Sequence, residues 1–301
     1  MEKRVRFIYN PLSGLGASAI VNYLDDISRT YADRGISVEP YEIDFGAADT
    51  ELFGDEAERC EHLLIAGGDG TINFVVNRML ARGIDIPIAV IPSGTANDFA
   101  STIGMNRNPM QACRQILDGE ARRVDLGCVN GNYFVNVFSF GLFTNVSQRT
   151  PTALKNSIGR AAYIMGGMED LMHIHTMPVS IHSDDGDFEG QALIVLAFNG
   201  KTAGNFKLAR MAEIDDGYLD VLVLRSGTVP MLSAVPTFLH YIFGGIGEPP
   251  RDVMHFHCRT MRIESSKDEP TDVDGQPGPA LPVELGCRHG AIRLVMPQVE
   301  R

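Results

Sequence analysis

The feature that most constrains this chain is an alternation confined to its first part. Up to about residue 124, short β-rich apolar runs take turns with segments of helical period. That order marks β/α units stacked around a parallel sheet. VRFIY (5–9), SVEPYEI (37–43), HLLIA (62–66) and IAVIP (88–92) are the predicted strands. After the third, Ile72, Val75, Val76, Met79 and Leu80 recur at i, i+3, i+4, i+7 and i+8, which predicts a helix with one apolar stripe. Gly83, just past Arg82, is its expected stop.

Beyond Asp118-Gly119 the texture changes to β-rich runs: VDLGCV, NYFVNVFSF, MPVSIHS, FEGQALIVLAF, LDVLVLRS, VMHFHCRTMRIES and AIRLVMP. Asn130-Gly131, Asp185-Gly186, Asp216-Gly217 and Asp274-Gly275 fit hairpin turns of an antiparallel sandwich or barrel. Helical segments near 155–173 and 230–243 interrupt it. The expected fold class is an α/β N-terminal domain with a parallel sheet, residues 1–124, and a C-terminal antiparallel β-sandwich domain, residues 125–301. A cleft between the two is expected.

With 301 residues and 44% hydrophobic composition, the chain has material for two cores. No run approaches the ~18 uncharged apolar residues of a membrane span, and MEKRVRFIYNP is too short in apolar residues for a signal peptide. A cytoplasmic protein is expected, and the five scattered cysteines suit reduced thiols. The net charge of -12 argues against nucleic acid as a partner. It leaves room for local basic patches at a bilayer.

Three stretches share one design, an apolar strand running into a glycine turn with a helical pattern after it: YNPLSGLG (9–16), AGGDGT (66–71) and IPSGTAND (91–98). In a parallel sheet such turns all lie at the carboxyl edge, so they are expected to form one site. Glycine lets backbone approach a ligand, and successive N–H groups at a helix start cradle phosphate oxygens. Ser13, Thr71, Ser93 and Thr95 add hydroxyls. Neither the Walker A nor the G-x-G-x-x-G spacing is present.

Asp69 stands inside this cradle. At about 4 Å and an effective dielectric near 20, two like charges repel by about 4 kcal/mol, so a bare carboxylate there opposes phosphate binding. A divalent cation reverses the sign: Mg²⁺ binds a carboxylate together with the phosphates of ATP. Asp98 is a candidate to assist. Asp69 is also placed to accept a proton from an attacking hydroxyl, and the sequence does not separate these roles.

NPLSG, GGDGTIN, IPSGTANDFA, VDLG, YFVNVFSFGLF, LKNSIGRAAY, IDDGYLD and DVDGQ, in that order, resemble the soluble bacterial diacylglycerol kinase and lipid kinase family, relatives of the sphingosine kinases. GGDGT alone is shared with NAD kinases and phosphofructokinase relatives. The resemblance spans nearly the whole chain. It implies an N-terminal nucleotide domain of the NAD kinase and phosphofructokinase-like kind and a C-terminal β-sandwich carrying the lipid site, with the final strand packing back on the first domain. ATP is expected at Asn10, Pro11, Leu12, Ser13 and Gly14, at Gly67, Gly68, Asp69, Gly70 and Thr71, and at Ser93, Gly94 and Thr95. A structural Mg²⁺ is implied at Asp216 and the main-chain carbonyls of Glu213 and Tyr218. The resemblance also implies a lipid acceptor presented at a membrane surface, and with it peripheral contact with the inner face. A homodimer through exposed strand edges stays open.

Two departures stand out. Relatives commonly carry Asn-Glu where this chain has Asn73-Phe74, so Phe74 is expected to pack instead. More consequential is DVDGQ: relatives usually show Asp-Gly-Glu, the glutamate being the proposed proton acceptor for the lipid hydroxyl, and here it is Gln276. An amide orients a hydroxyl but takes no proton near neutral pH. Asp69 or Asp274 is then the candidate base.

The rival readings are a lipid- or nucleotide-binding protein that lost turnover with its base, and an NAD kinase. For the second, no dinucleotide motif is found in the C-terminal part. A serine hydrolase lacks its G-x-S-x-G elbow. Leu142, Phe143, Ile164, Met165 and Met168 are candidates to line a lipid groove, and Lys155, Arg160 and Lys207 to meet headgroups or phosphates. His255 and His257 alternate along one strand and face one side, but no third metal ligand is visible nearby in sequence.

Overall fold

The computed structural model describes residues 3–13, 19–54, 57–141, 175–200, 202–203, 206–207, 213–226, 237–238, 240–241 and 248–298. The chain divides into two compact units, residues 1–124 with 290–301, and residues 125–289.

In the first unit β1 (Lys3–Tyr9), β2 (Ile36–Glu42), β3 (His62–Gly67) and β4 (Ile88–Pro92) form a parallel sheet in the order β2-β1-β3-β4. All four lie at the predicted runs. β3 and β4 are buried at every residue, as a parallel sheet covered on both faces requires. The helices are α1 (Leu24–Ala32), α2 (Asp49–Phe53), α3 (Asp69–Ala81), α4 (Asp98–Thr102) and α5 (Pro109–Leu117). On α3 four residues of the predicted stripe, Ile72, Val75, Val76 and Met79, are buried, and the fifth, Leu80, is half-buried. Gly83, at φ +65°, follows its end. Phe74 stacks edge-on against Phe45, with ring centroids 4.9 Å apart, so it packs as expected. Asn108 starts α5: its side-chain oxygen accepts from the amides of Met110 and Gln111.

The second unit is antiparallel. β5 (Glu120–Val129) crosses from the first unit, followed by β6 (Asn132–Phe134), β7 (Val137–Gly141), β8 (Met177–Ser183) and β9 (Phe188–Phe198). β10 (Thr202–Ala203) and β11 (Phe206–Lys207) pair with each other as a two-stranded sheet among the described residues. Then come β12 (Leu219–Arg225), β13 (Val253–Cys258), β14 (Thr260–Ser265), β15 (Thr271–Val273), β16 (Gln276–Pro277) and β17 (Val283–Met296). β9 pairs with β7, β8 and β12, and the inner faces enclose Phe134, Phe138, Phe140, Val195, Val221 and Ile263. β17 leaves this unit after His289, and Leu294 pairs in parallel with Ile88 of β4.

Asn130-Gly131 and Asp274-Gly275 are hairpin turns with positive φ at both residues, at +46° and +86° and at +51° and +82°. Asp185-Gly186 joins β8 to β9. Two expectations need correction. VMHFHCRTMRIES is two strands, broken at Arg259, whose amide donates to Asp184. Asp216-Gly217 makes no hairpin among the described residues; the loop is tied to Asp125 instead. The segment 155–173 and most of 230–243 lie outside the described residues. All five cysteines are free.

His62 opens β3 buried, its Nε2 2.9 Å from the Tyr31 hydroxyl of α1. Burial pushes this imidazole down from 6.5 to about 4. Between those values the unfolded chain binds a proton that the folded chain refuses. Stability is therefore lost as pH falls from about 6.5 to about 4, by about 3 kcal/mol at the limit. Urea unfolding across this range is expected to show the decline in the wild type and to show it reduced in His62→Gln.

Candidate active site

β1, β3 and β4 are parallel neighbours, so the turns after them emerge at the carboxyl edge of one sheet. Contacts fasten these turns together. The Asn10 side chain accepts from Leu12 N at 3.0 Å and donates to Thr71 Oγ1 at 3.1 Å, linking the first turn to the second. The Ser93 amide donates to the Gly67 carbonyl at 3.1 Å, linking the third. Gly68 and Gly94 pack backbone to backbone: a Cβ on Gly94 would stand 2.4 Å from the Gly68 Cα. Asn97, held at φ +56°, braces the third turn by accepting from Gly94 N at 2.8 Å and donating to Gly94 O at 2.7 Å.

Asp69 completes the junction. Its two carboxylate oxygens accept the amides of Asp98, at 3.1 Å, and Phe99, at 2.9 Å, at the start of α4. These bonds tie the second glycine turn to the start of α4, and a carboxylate is the oxygen donor that a hard divalent cation takes. The start of α3, at Gly68, carries no side-chain cap, so its dipole end suits an anion. Ser93 Oγ is buried without a hydrogen-bond partner among the described residues. An orphaned hydroxyl beside two glycine turns fits a site that a polar ligand completes. Gly70, by contrast, faces open space: a Cβ there would meet nothing within 4 Å. Pro11, Leu12 and Thr95 lie on the same turns, Leu12 fully to solvent, and Gly14 lies outside the described residues.

In the second unit, buried carboxylates organise the loops. Asp125 of β5 accepts from Gly217 N at 2.6 Å, meets His289 Nδ1 at 2.9 Å, and its own amide donates to Ile214 O at 2.6 Å. The loop from Glu213 to Tyr218 is thereby pinned. Asp216 accepts from Tyr218 N at 2.9 Å. Partial burial pushes its carboxyl up from the ordinary value, and the negative charges of Asp220 and Asp125 add to the rise. A cation at this loop would relieve that repulsion. Its carboxylate and carbonyl oxygens are the donors a hard divalent ion takes.

Asp274 is held at φ +51°, its oxygens accepting the amides of Val135 at 2.8 Å and of Asn136 and Val137 at 2.9 Å. It therefore anchors the β15–β16 hairpin to residues 135–137, the entry to β7. Gln276 stands exposed next along the chain, opposite Val273. Asp272, buried, accepts from Gly275 N at 2.8 Å.

The structure brings Asn10, Ser13, Gly67 to Thr71, Ser93 and Gly94 into one region of the first unit. Glu213, Asp216 and Tyr218 form one loop, and Asp274 and Gln276 one hairpin, in the second. Asn97, Asp125 and Asp220 were not singled out from the sequence. For Asp125 a signal existed: an acid inside an apolar run, VDLGCV, needs partners to be buried. Leu142, Phe143, Lys155, Arg160, Ile164, Met165 and Met168 lie outside the described residues.

A family model described as diacylglycerol kinase catalytic domain matches residues 4–129. One described as YegS C-terminal NAD kinase beta sandwich-like domain matches residues 136–296. The chain belongs to the diacylglycerol kinase family. It is 34% identical over 294 residues to a diacylglycerol kinase of Staphylococcus epidermidis, covering 95% of this chain and 89% of the relative. A Staphylococcus aureus diacylglycerol kinase is also 34% identical, with 95% and 90% covered. A crystal structure from Bacillus anthracis str. Sterne, 25% identical, aligns with a TM-score of 0.81 over 98% of this chain and 97% of that one. A diacylglycerol kinase from the same strain, 24% identical, shares the fold with a TM-score of 0.76. The chain is thus a lipid kinase, an enzyme that draws its phosphoryl group from a nucleoside triphosphate, typically with a divalent metal. The β-sandwich expected of the second domain agrees with the matched description.

The Gly68–Gly94 contact leaves this kinase no room for a side chain. Gly94→Ala is expected to lower unfolding stability by about 1–3 kcal/mol, read from urea denaturation, because two backbones must part.

Proposed function

We propose that this lipid kinase transfers the γ-phosphoryl group of ATP to the free hydroxyl of diacylglycerol, giving phosphatidic acid for phospholipid metabolism. The observation that carries the reading is the junction of the three glycine turns, where Asp69 bonds the second to the start of α4, Gly68 packs on Gly94 and Thr71 accepts from Asn10 of the first. The names of the staphylococcal relatives support the acceptor.

In this reading the amides at the start of α3 and the hydroxyls of Ser13, Thr71, Ser93 and Thr95 hold the polyphosphate of ATP. Asp69 holds Mg²⁺, and Asp216 with the carbonyls of Glu213 and Tyr218 holds a second, structural Mg²⁺. Bound at the phosphates, the ion neutralises charge that develops in transfer. The acceptor resides in a bilayer, so the enzyme works as a peripheral protein at the inner face. Among the described residues no helix is long and apolar enough to cross a membrane.

Gln276 shapes the expected rate. Asp274 is engaged with three backbone amides, so its oxygens are committed to holding the hairpin. Proton acceptance then rests on Asp69 or on solvent. Phosphoryl transfer depends mainly on positioning and charge stabilisation, so turnover survives the loss of a base. A second reading, binding of nucleotide and lipid without turnover, is favoured by Gln276 itself.

Two experiments test these readings. Radiolabelled ATP offered with diacylglycerol, phosphatidylglycerol, ceramide, sphingosine and NAD is expected to label diacylglycerol, with Mg²⁺ and not with chelator. In the same assay Gln276→Glu is expected to raise turnover roughly 10²-fold, since general-base help is worth about that much. Equal or lower turnover in the variant would discard the base argument. Gly70→Ala is expected to leave stability unchanged or raise it by up to about 1 kcal/mol, because alanine favours helix. Its methyl group fills the open cradle, so calorimetry is expected to show weakened ATP binding.

A further inference from the structure

The histidine pair that lacked a partner in the sequence has one in the fold. β12 and β13 run antiparallel with Asp220 opposite His257 and Leu222 opposite His255. This register puts Asp220, His255 and His257 on one face of the sheet. Asp220 Oδ1 lies 2.7 Å from His257 Nε2 and 3.1 Å from His255 Nε2. One potential ligand atom from each residue falls within 4.8 Å of the other two. The Asp220 side chain is 3% exposed, that of His255 19% and that of His257 48%, so the cluster runs from the interior to the surface.

We propose that Asp220, His255 and His257 form a transition-metal site, with Zn²⁺ the ion their chemistry fits. Two imidazole nitrogens and a carboxylate are a ligand set of zinc sites, whereas Mg²⁺ prefers oxygen throughout. His-x-His on a strand delivers both rings to the same side, at a centroid separation of 5.4 Å and an interplanar angle of 79°. Such near-perpendicular rings can converge on one point without stacking. Tyr241 Oη is 3.2 Å from His255 Nδ1, the outer partner that holds a ligating ring in orientation.

The surroundings also draw a cation. A pocket of about 620 Å³ adjoins the cluster, lined by Asp184, Asp185, Asp216, Tyr218, His257 and Arg259. Three carboxylates and one guanidinium line it, and His257, which Asp220 meets at 2.7 Å, reaches the same pocket. A tetrahedral ion with bonds of ~2.0–2.1 Å needs its ligands roughly 3.3 Å apart. From 3.1 and 2.7 Å, the separations of His255 and His257 to Asp220 must open by roughly 0.2 and 0.6 Å, and the half-exposed His257 ring has the freedom to give way. The fourth position then faces the pocket. The metal takes the place of the contacts that both Nε2 atoms now make with Asp220 Oδ1.

This site differs from the oxygen-donor loop at Asp216 and does not depend on the kinase chemistry. Its test uses the full chain stripped by chelator, with the metal alone as probe. Calorimetry is expected to show one equivalent of Zn²⁺ bound in the presence of excess Mg²⁺, and Co²⁺ to give the visible absorption of a four-coordinate nitrogen and oxygen site. His257→Ala, a substitution at a half-exposed position, is expected to weaken Zn²⁺ uptake at least tenfold and to abolish the Co²⁺ band, with the far-ultraviolet dichroism unchanged. Asp216→Asn is expected to retain the band. No stoichiometric uptake by the wild type overturns the proposal, as does uptake that Mg²⁺ displaces or that survives in His257→Ala.

Discussion

The carboxylate of Asp69 is the point on which the first unit's site depends. It leaves the start of α3 and accepts the two amides that begin α4, so the second glycine turn is bonded to the third. Charge-assisted bonds of this kind are stronger than neutral ones. They also reduce the cost of a negative charge among groups that attract anions. The same side chain therefore fastens the scaffold at the point where the glycine turns come together.

Glycine makes this junction possible. The close approach of Gly68 to Gly94 lets the turns after β3 and β4 share one space, and Asn10 reaches Thr71 to add the turn after β1. Neighbouring parallel strands bring their carboxyl ends together, so this convergence follows from strand order. Conformational freedom is needed at few of these positions; what most of them supply is the absence of a side chain.

The second unit applies a related device with different geometry. Asp125 and Asp274 are acids spent on backbone amides, one pinning the loop before β12 and the other pinning the β15–β16 hairpin. Buried charges persist only when paired or hydrogen-bonded, and amide donors meet that need. Around Asp216 the balance is less complete, because Asp125 and Asp220 add repulsion. A kinase gains from rigid loops, since positioning carries much of phosphoryl transfer. Cys258 and Cys287, driven up to about 12 by burial and neighbouring acids, stay inert thiols within this unit.

Periodicity alone located β1 to β4 and the buried stripe of α3, because a parallel strand and an amphipathic helix write their burial into consecutive residues. Motif spacing likewise exposed the glycine turns and the Gln276 departure, which are local in the chain. Distance in sequence hid the rest. Asp220 is separated from His255 by a long stretch of chain, and only the β12–β13 register makes them neighbours. The roles of Asp69 and Asp274 as acceptors of remote amides were equally invisible, since hydrogen bonds spanning 29 and 30 positions for Asp69 and 137 to 139 for Asp274 leave no pattern along the chain. Sequence determined which groups exist and which local shapes they favour; tertiary structure decided which of them meet, because pairing and burial are set by the fold as a whole.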